Sequence, residues 1–164
     1  MSRIVVSLRV AAPRERVFDL ARSVDAHVAS ATSTSERVVG GRSSGLLELG
    51  DEVTWQARHF GVVQRLTSRI TAFDRPRSFR DSMVRGAFAR FHHDHFFDAD
   101  GDGVVMRDAF DFRAPLGPLG HLADVLFLRA HMQRFLEARA EILRALAEGS
   151  EWQRYLPDAS PPLG

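Results

Sequence analysis

Hydrophobic and polar residues alternate along the first ten positions of the chain, a pattern typical of a half-buried β-strand. The residues expected to share its buried face are Ile4, Val6, Leu8 and Val10. Pro13 favours the start of a helix over residues 13–23, because its fixed φ angle suits the first helical turn. The segment 24–30 predicts a second short helix. The chain therefore begins with one strand and two short helices.

From residue 34 onward the period of the pattern changes to two, which indicates consecutive strands. The predicted strands lie at about residues 34–40, 51–60, 62–73, 78–85, 88–98 and 103–113. Turn signals separate them at Gly61, Pro76, Gly86 and the run DADGDG at residues 98–103. Short turns join antiparallel neighbours, so the sequence predicts an antiparallel meander.

A helical period returns between about residues 119 and 148, where apolar residues recur at steps of three and four until Gly149. A meander has one face to cover, and this helix is the only predicted element large enough to cover it. The sequence predicts an α+β fold, with a seven-stranded antiparallel sheet curled around a long C-terminal helix and two short helices after strand 1. The expected domain covers residues 1–148, and residues 149–164 form a C-terminal tail.

The composition fits one globular domain, with 164 residues of which 45% are hydrophobic and 26% charged. Cysteine is absent and all 22 basic residues are arginine, which excludes thiolate metal sites, Schiff-base lysines and a P-loop lysine. The net charge is +1 without a basic stripe, so we expect no nucleic-acid partner. No apolar run approaches the roughly 20 residues of a membrane span, and arginines interrupt the N-terminal strand. We therefore expect a cytoplasmic protein without an integral membrane segment.

Strand registers follow from requiring apolar residues to share one face of the sheet. The expected cross-strand neighbours are Trp55 and Leu66, Ile70 and Phe79, Leu66 and Met83, Asp81 and His93, His93 and Asp108, and His95 and Met106. His92 and Asp94 then point to the opposite face. This register places His93 between two carboxylates on neighbouring strands.

The candidate ligand-binding residues are those predicted to face the space between sheet and helix. The apolar candidates are Trp55, Phe79, Met83, Phe91, Met106, Phe110, Leu126 and Phe135. The polar candidates are Asp81, His93, His95, Asp108 and Arg139. An arginine in an apolar helix stripe either contacts a ligand, extends to the cavity rim or pairs with a carboxylate such as Asp81.

The stretch FHHDHFFDADGDGVV at residues 91–105 suggests two kinds of metal site. The run at 98–103 matches the start of an EF-hand loop, but the position of the bidentate glutamate is occupied by Ala109, so a hairpin turn is expected. His93 and His95 share a face and could bind a metal with Asp108 as third ligand. The alternative is a buried network in which carboxylates satisfy the imidazoles. We expect this network, with no metal and no cofactor.

Several motifs resemble the SRPBCC (START and birch-pollen-allergen-like) superfamily, in particular its bacterial single-domain polyketide-cyclase-like and coenzyme-Q-binding-like members. They are HFG at 59–61, SRITAFDRP at 68–76, RGAF at 85–88, the H-x-H of His93 and His95, and FRAPLGPLG at 112–120. The resemblance covers about residues 2–148. It implies a helix-grip fold with a deep ligand cavity between the sheet and the C-terminal helix.

The resemblance and the predicted inner face together favour a binding or carrier protein for a small, mostly hydrophobic ligand of lipid, quinone or polyketide-like type. The alternative is a polyketide cyclase or dehydratase that uses His93 with Asp81 and Asp108 as acid–base groups. A third possibility is an interaction subunit whose interior is filled by side chains. A homodimer with Trp152 and Tyr155 of the tail at the contact is a further expectation.

Overall fold

A computed structural model of the chain describes residues 2–114 and 127–156. Its helices and strands, in chain order, are β1 (Ser2–Val10), α1 (Arg14–Ala21), α2 (Val24–Ser30), β2 (Arg37–Gly41), β3 (Glu52–His59), β4 (Val62–Asp74), β5 (Ser78–Arg85), β6 (Arg90–Asp100), β7 (Gly103–Arg113) and α3 (Arg129–Glu148). Short 3₁₀ helices follow at Thr32–Thr34 and Glu151–Arg154. None of the helices in these described ranges has the length and apolar character needed to cross a membrane.

The seven strands form one antiparallel sheet in the order β1-β7-β6-β5-β4-β3-β2. The helix α3 packs against this sheet with Met132, Leu136, Ala140 and Ala147 buried. The predicted α+β helix-grip fold is therefore confirmed. The predicted start of the long helix, at residues 119–126, lies outside the described residues.

The two short helices fill the space between the sheet and α3 near the start of the chain. Phe18 of α1 is fully buried and meets Phe73, Phe79 and Phe97 of the sheet edge-on, with ring centroids 5.3–5.5 Å apart. Burial of one such side chain contributes about 1.5–3 kcal/mol. Ser23 begins α2, where its hydroxyl accepts a hydrogen bond from the backbone N–H of Ala26. This packing leaves the remaining space between sheet and helix for the site.

The strand registers agree with the prediction in part. Trp55 lies opposite Leu66 and Asp81 lies opposite His93, as expected. The predicted pairs Ile70–Phe79 and Leu66–Met83 are wrong: Ile70 lies opposite Asp81, and Met83 lies opposite Ser68. The connection after Asp74 takes three residues, and the register of β4 shifts at two irregularities.

The β6–β7 hairpin also differs from the prediction by two residues. Both strands continue into the acidic run as far as the pair Asp100–Gly103, and the turn is only two residues long, with Gly101 at φ +60°. His95 therefore lies opposite Asp108, and His93 lies opposite Phe110. Because side chains alternate between faces, a shift of two residues changes each neighbour but leaves every side chain on its predicted face.

The acidic turn is a hairpin, as predicted, and two of its three carboxylates, of Asp100 and Asp102, are paired with one arginine. Arg9 of β1 contacts Asp100 through Nε at 2.7 Å and Asp102 through Nη2 at 2.9 Å. These ion pairs give the acidic residues of the turn a structural role.

The first part of the tail packs on its own chain. Trp152 and Tyr155 are partly buried against the hydrophobic core, and the guanidinium of Arg16 lies 4.1 Å from the centre of the Trp152 ring. Both aromatic residues of the tail are therefore packed within one chain. The homodimer stays a prediction.

Candidate functional site

A cavity of about 280 Å³ lies between the inner face of the sheet and α3. The predicted apolar residues that line it are Trp55, Phe79, Phe91, Phe110 and Phe135. The predicted polar residues that line it are Asp81, His93, His95 and Arg139. The third possibility, an interior filled by side chains, is therefore not what the structure has.

The other predicted site residues lie elsewhere. Met83 is half-buried and packs against the hydrophobic core, and it does not line the cavity. Met106 and Asp108 line a separate void of about 20 Å³ behind the cavity wall, which is room for about one water molecule. Leu126 lies outside the described residues.

His95 is the histidine that bridges two carboxylates. Its Nδ1 atom lies 2.7 Å from Oδ1 of Asp108, and its Nε2 atom lies 3.1 Å from Oδ1 of Asp81. The sequence placed His93 in this position. The observed β6–β7 register explains the difference, because it puts Asp108 directly opposite His95.

His93 lies beside this bridge without taking part in it. Its Nδ1 and Nε2 atoms are each 3.8 Å from a carboxylate oxygen, of Asp81 and Asp108 respectively, which is beyond hydrogen-bond distance. The Nε2 atom is buried and has no hydrogen-bond partner within residues 2–114 and 127–156. The two imidazole rings lie side by side, with centroids 3.9 Å apart. The ring of His93 is therefore free to bind a further group.

The two neighbouring histidines have opposite proton affinities. Burial and the charge of His95 lower the pKa of His93 to about 4. Burial also lowers the pKa of His95, but the charge of Asp108 and hydrogen bonds to Asp108 and Asp81 outweigh it and raise this pKa to about 9. At neutral pH the pair therefore consists of a neutral imidazole and an imidazolium.

Arg139 belongs to a second set of polar contacts on the cavity wall. Its Nη2 atom donates a hydrogen bond to Nδ1 of His27 at 2.7 Å, and Nε2 of His27 lies 3.1 Å from Oε1 of Glu36. The His27 ring stacks on Trp55 with centroids 4.0 Å apart. Of the alternatives for Arg139, the pairing with a carboxylate such as Asp81 is not found among the described residues, where His27 is its hydrogen-bond partner. Burial, followed by the charge of Arg139, lowers the pKa of His27.

Sequence reasoning missed several polar residues of the cavity wall, and four of them form hydrogen bonds there: His27, Glu36, His59 and His131. They come from α2, the position just before β2, the end of β3 and α3, so no local spacing connects them. The histidine content of the sequence was the one signal that could have pointed to them, since five of the seven histidines line the cavity. His59 Nδ1 and His131 Nε2 lie 3.0 Å apart, and the exposed Phe60 packs on His131, so this contact forms the outer end of the cavity.

One group of side chains has the composition of a metal site. A ligand atom each from Asp81, His93 and His95 lies within 4.8 Å of the other two. The sequence had suggested Asp108 as the third ligand. In the structure Asp108 instead accepts the hydrogen bond from the far side of the His95 ring.

Solved structures with the same fold have little sequence identity to the chain. A protein from Thermus thermophilus is 20% identical, with a TM-score of 0.73, over 97% of this chain and 100% of its own. A protein from Chromobacterium violaceum is 14% identical, with a TM-score of 0.68, over 90% and 98%. The ginseng major latex-like protein 151 from Panax ginseng is 15% identical, with a TM-score of 0.62, over 90% and 98%. At these identities the likeness shows the fold alone.

A search of curated proteins finds no significant match. A family model described as polyketide cyclase / dehydrase and lipid transport, by contrast, matches residues 1–148. This match spans the sheet, the short helices and α3. The chain therefore belongs to the polyketide cyclase / dehydrase and lipid-transport family of the SRPBCC superfamily, as its motifs predict.

Proposed function

We propose that the chain binds and carries a small, mostly hydrophobic ligand with a keto or acidic oxygen at one end, of lipid, quinone or polyketide-like type. The observation that carries this proposal is the cavity of about 280 Å³, whose aromatic walls converge on a few buried polar groups. Small-molecule sites typically have this character and begin near roughly 300 Å³. We further propose that the chain acts in the cytoplasm of a bacterium.

The apolar part of the ligand would contact the aromatic walls. Phe91 and Phe110 lie together on β6 and β7, with ring centroids 5.1 Å apart, and Phe135 faces them from α3. Apolar area removed from water stabilises a complex by roughly 25 cal/mol per Å² before the costs of association are subtracted. These walls would therefore supply affinity without selecting one ligand.

The polar end of the ligand would contact Arg139. Its guanidinium has five N–H donors, and the structure gives one of them to His27 and shows no ion pair with a carboxylate in residues 2–114 and 127–156. His93 and His95 line the same cavity, while Asp108 acts from behind by holding the His95 ring. A ligand oxygen would accept hydrogen bonds from this group.

Two matched fluorescent probes test the proposal. Anilinonaphthalene sulfonate and phenylnaphthylamine have the same aromatic body, and only the first carries oxygens. We expect both to bind the purified chain, and Arg139→Gln to weaken sulfonate binding about tenfold while phenylnaphthylamine binding stays unchanged, since one charge-assisted hydrogen bond contributes about 1.5–3 kcal/mol. Arg134→Gln is the matched control, because Arg134 is exposed on the same helix.

Failure of both probes to bind the wild type would overturn the proposal, as would equal loss of both in Arg139→Gln. Native mass spectrometry of freshly purified protein can detect the natural ligand and give its mass. A co-purifying apolar molecule bound at about one per chain is the expected result.

A second candidate is the cyclase or dehydratase activity, which one observation favours. His93 is neutral and lines the cavity, and its Nδ1 atom makes no hydrogen bond among the described residues, as a base beside a keto ligand would. Incubation of the co-purified ligand in D₂O tests this. An enzyme is supported if the wild type incorporates deuterium into the ligand, and if His93→Gln abolishes this uptake while its affinity for phenylnaphthylamine is unchanged. A carrier is favoured if His93→Gln loses deuterium uptake and phenylnaphthylamine affinity to the same extent.

A further inference from the structure

We propose that Asp81, His93 and His95 form a binding site for a divalent transition-metal ion, with zinc as the ion that fits best. All three residues line the cavity, and their ligand atoms lie within 4.8 Å of one another. Two imidazoles and one carboxylate are a ligand set that zinc accepts in proteins. The inference goes beyond the proposed ligand binding and is independent of it, because metal binding can be measured on the chain alone.

The distances between the donor atoms suit a tetrahedral ion. Oδ1 of Asp81 lies 3.1 Å from Nε2 of His95 and 3.8 Å from Nδ1 of His93. Zinc bonds of about 2.0–2.2 Å at tetrahedral angles place neighbouring ligand atoms roughly 3.3 Å apart. The two observed separations lie on either side of this value, so movements of a few tenths of an ångström would close the site.

Asp108 has the position of a supporting group behind the ligands. It accepts a hydrogen bond of 2.7 Å from Nδ1 of His95, which leaves Nε2 of that ring pointing toward Asp81. Metal-binding histidines almost always donate their second ring N–H to a carboxylate, a backbone carbonyl or water, which fixes the tautomer and the ring orientation. The sequence suggested Asp108 as a possible third ligand, and the observed register makes it the hydrogen-bond partner of His95 instead.

The ring of His93 has no other role among the described residues. It makes no hydrogen bond to these residues, so its Nδ1 atom, which lies 3.8 Å from Oδ1 of Asp81, is available to an ion. His95 by contrast is fully hydrogen-bonded through a proton shared with Asp81. Metal binding would release that proton to solvent, and the ion would bond to Nε2 and the carboxylate in its place.

The charges around the site favour a cation. Glu36, Asp81 and Asp108 supply three carboxylates to this part of the interior, and Arg139 supplies one guanidinium. With neutral histidines the group carries two excess negative charges, which a divalent ion would neutralise. The fourth coordination position would open into the cavity, where a keto, hydroxyl or carboxylate oxygen of a ligand could bind the ion.

Titration of the chelator-treated full chain with zinc tests the inference. We expect one ion per chain by calorimetry, and intense visible absorption of tetrahedral type when cobalt(II) replaces zinc. His93→Gln and His95→Gln should each weaken zinc binding by about 100-fold or more, and Asp108→Asn by roughly 10–100-fold. His92→Gln, on the opposite face of β6, and His131→Gln, at the outer end of the cavity, are the controls and should bind zinc as the wild type does.

Unchanged binding in His93→Gln and His95→Gln would overturn the inference, as would loss of binding in His131→Gln or the absence of stoichiometric binding. Circular dichroism checks that each variant is folded. Should a variant unfold, anomalous diffraction at the zinc edge from a soaked wild-type crystal decides: density between Asp81 and the two histidines supports the site, and density elsewhere or nowhere overturns it.

Discussion

His95 of β6 and Asp108 of β7 lie opposite each other in the sheet and share a hydrogen bond of 2.7 Å inside the protein. The same imidazole reaches Asp81 of β5 through its second nitrogen, so one side chain links three neighbouring strands. Buried charges are stable only when such partners are present. The bridge therefore explains how a cavity with aromatic walls retains one carboxylate, of Asp81, in its wall and a second, of Asp108, directly behind it.

Removal of the charge of Asp108 should destabilise the fold. Asp108→Asn leaves the His95 imidazolium with one charged partner fewer, and loss of one partner from a buried pair costs about 3 kcal/mol or more. The measurement is the free energy of unfolding in urea. Asp94→Asn is the control, because Asp94 pairs with the half-exposed Arg80 on the opposite face, where water screens the charges and an ion pair contributes about 1 kcal/mol. Equal losses in the two variants would contradict the prediction.

The stability of the chain should fall as the pH rises above neutrality. The pKa of His95 is about 9 in the folded chain and 6.5 ordinarily, so its proton is bound more tightly in the folded state. This contribution is complete below pH 6.5 and is lost as the pH rises through about 9. Urea unfolding across this interval measures it. His95→Gln should remove most of the slope, and a wild type that becomes more stable toward pH 9 would contradict the assignment.

Sequence reasoning found which face each inner side chain occupies but not which neighbour it meets. Alternation in a strand depends only on the strand itself, so Phe79, His93 and His95 all face inward as predicted. Register depends on turn length and on bulges. Because the turn after Asp100 has only two residues, Asp108 lies opposite His95 and not opposite His93 as predicted. A shift this small exchanges the roles of two adjacent histidines.

Sequence patterns could not predict the other polar contacts of the cavity. Arg139, His27 and Glu36 meet only after α2 and α3 have packed on the sheet, at sequence separations that carry no periodic signal. Stacking of His27 on Trp55 depends on the same packing. The sequence identified Arg139 as a polar residue in an apolar stripe, but only the fold supplies its partner.

Filling the cavity should abolish probe binding without unfolding the chain. Ala57 of β3 lines the cavity and is 9% exposed, so Ala57→Phe would direct a ring into the space that a ligand needs. We expect phenylnaphthylamine affinity to fall at least about tenfold, with a cost in stability of about 1–3 kcal/mol from overpacking. Ala72→Phe is the control, because Ala72 is exposed on β4. Full probe binding by a folded Ala57→Phe variant would show that the probe binds elsewhere.

Acidification should loosen the outer end of the cavity. His59 and His131 share a hydrogen bond of 3.0 Å that requires at least one neutral ring. Burial, then the charge of the partner, lowers the pKa of His59, and burial, then the charge of Arg134, lowers that of His131. Depressed pKa values mean that the contact contributes stability above pH 6.5 and loses it as the pH falls below that value. Two imidazolium rings would repel each other and separate the β3–β4 turn from α3.

The dissociation rate of bound phenylnaphthylamine measures this opening, since the neutral probe does not itself titrate in this range. Stopped-flow dilution should give a rate that increases severalfold between about pH 7.5 and about pH 5.5. His131→Gln keeps a hydrogen-bonding side chain at the outer end but cannot acquire a charge, so its rate should stay nearly constant over the same interval. Equal pH dependence in His131→Gln and the wild type would assign the effect to a different buried group, such as His27 beside Glu36 and Arg139.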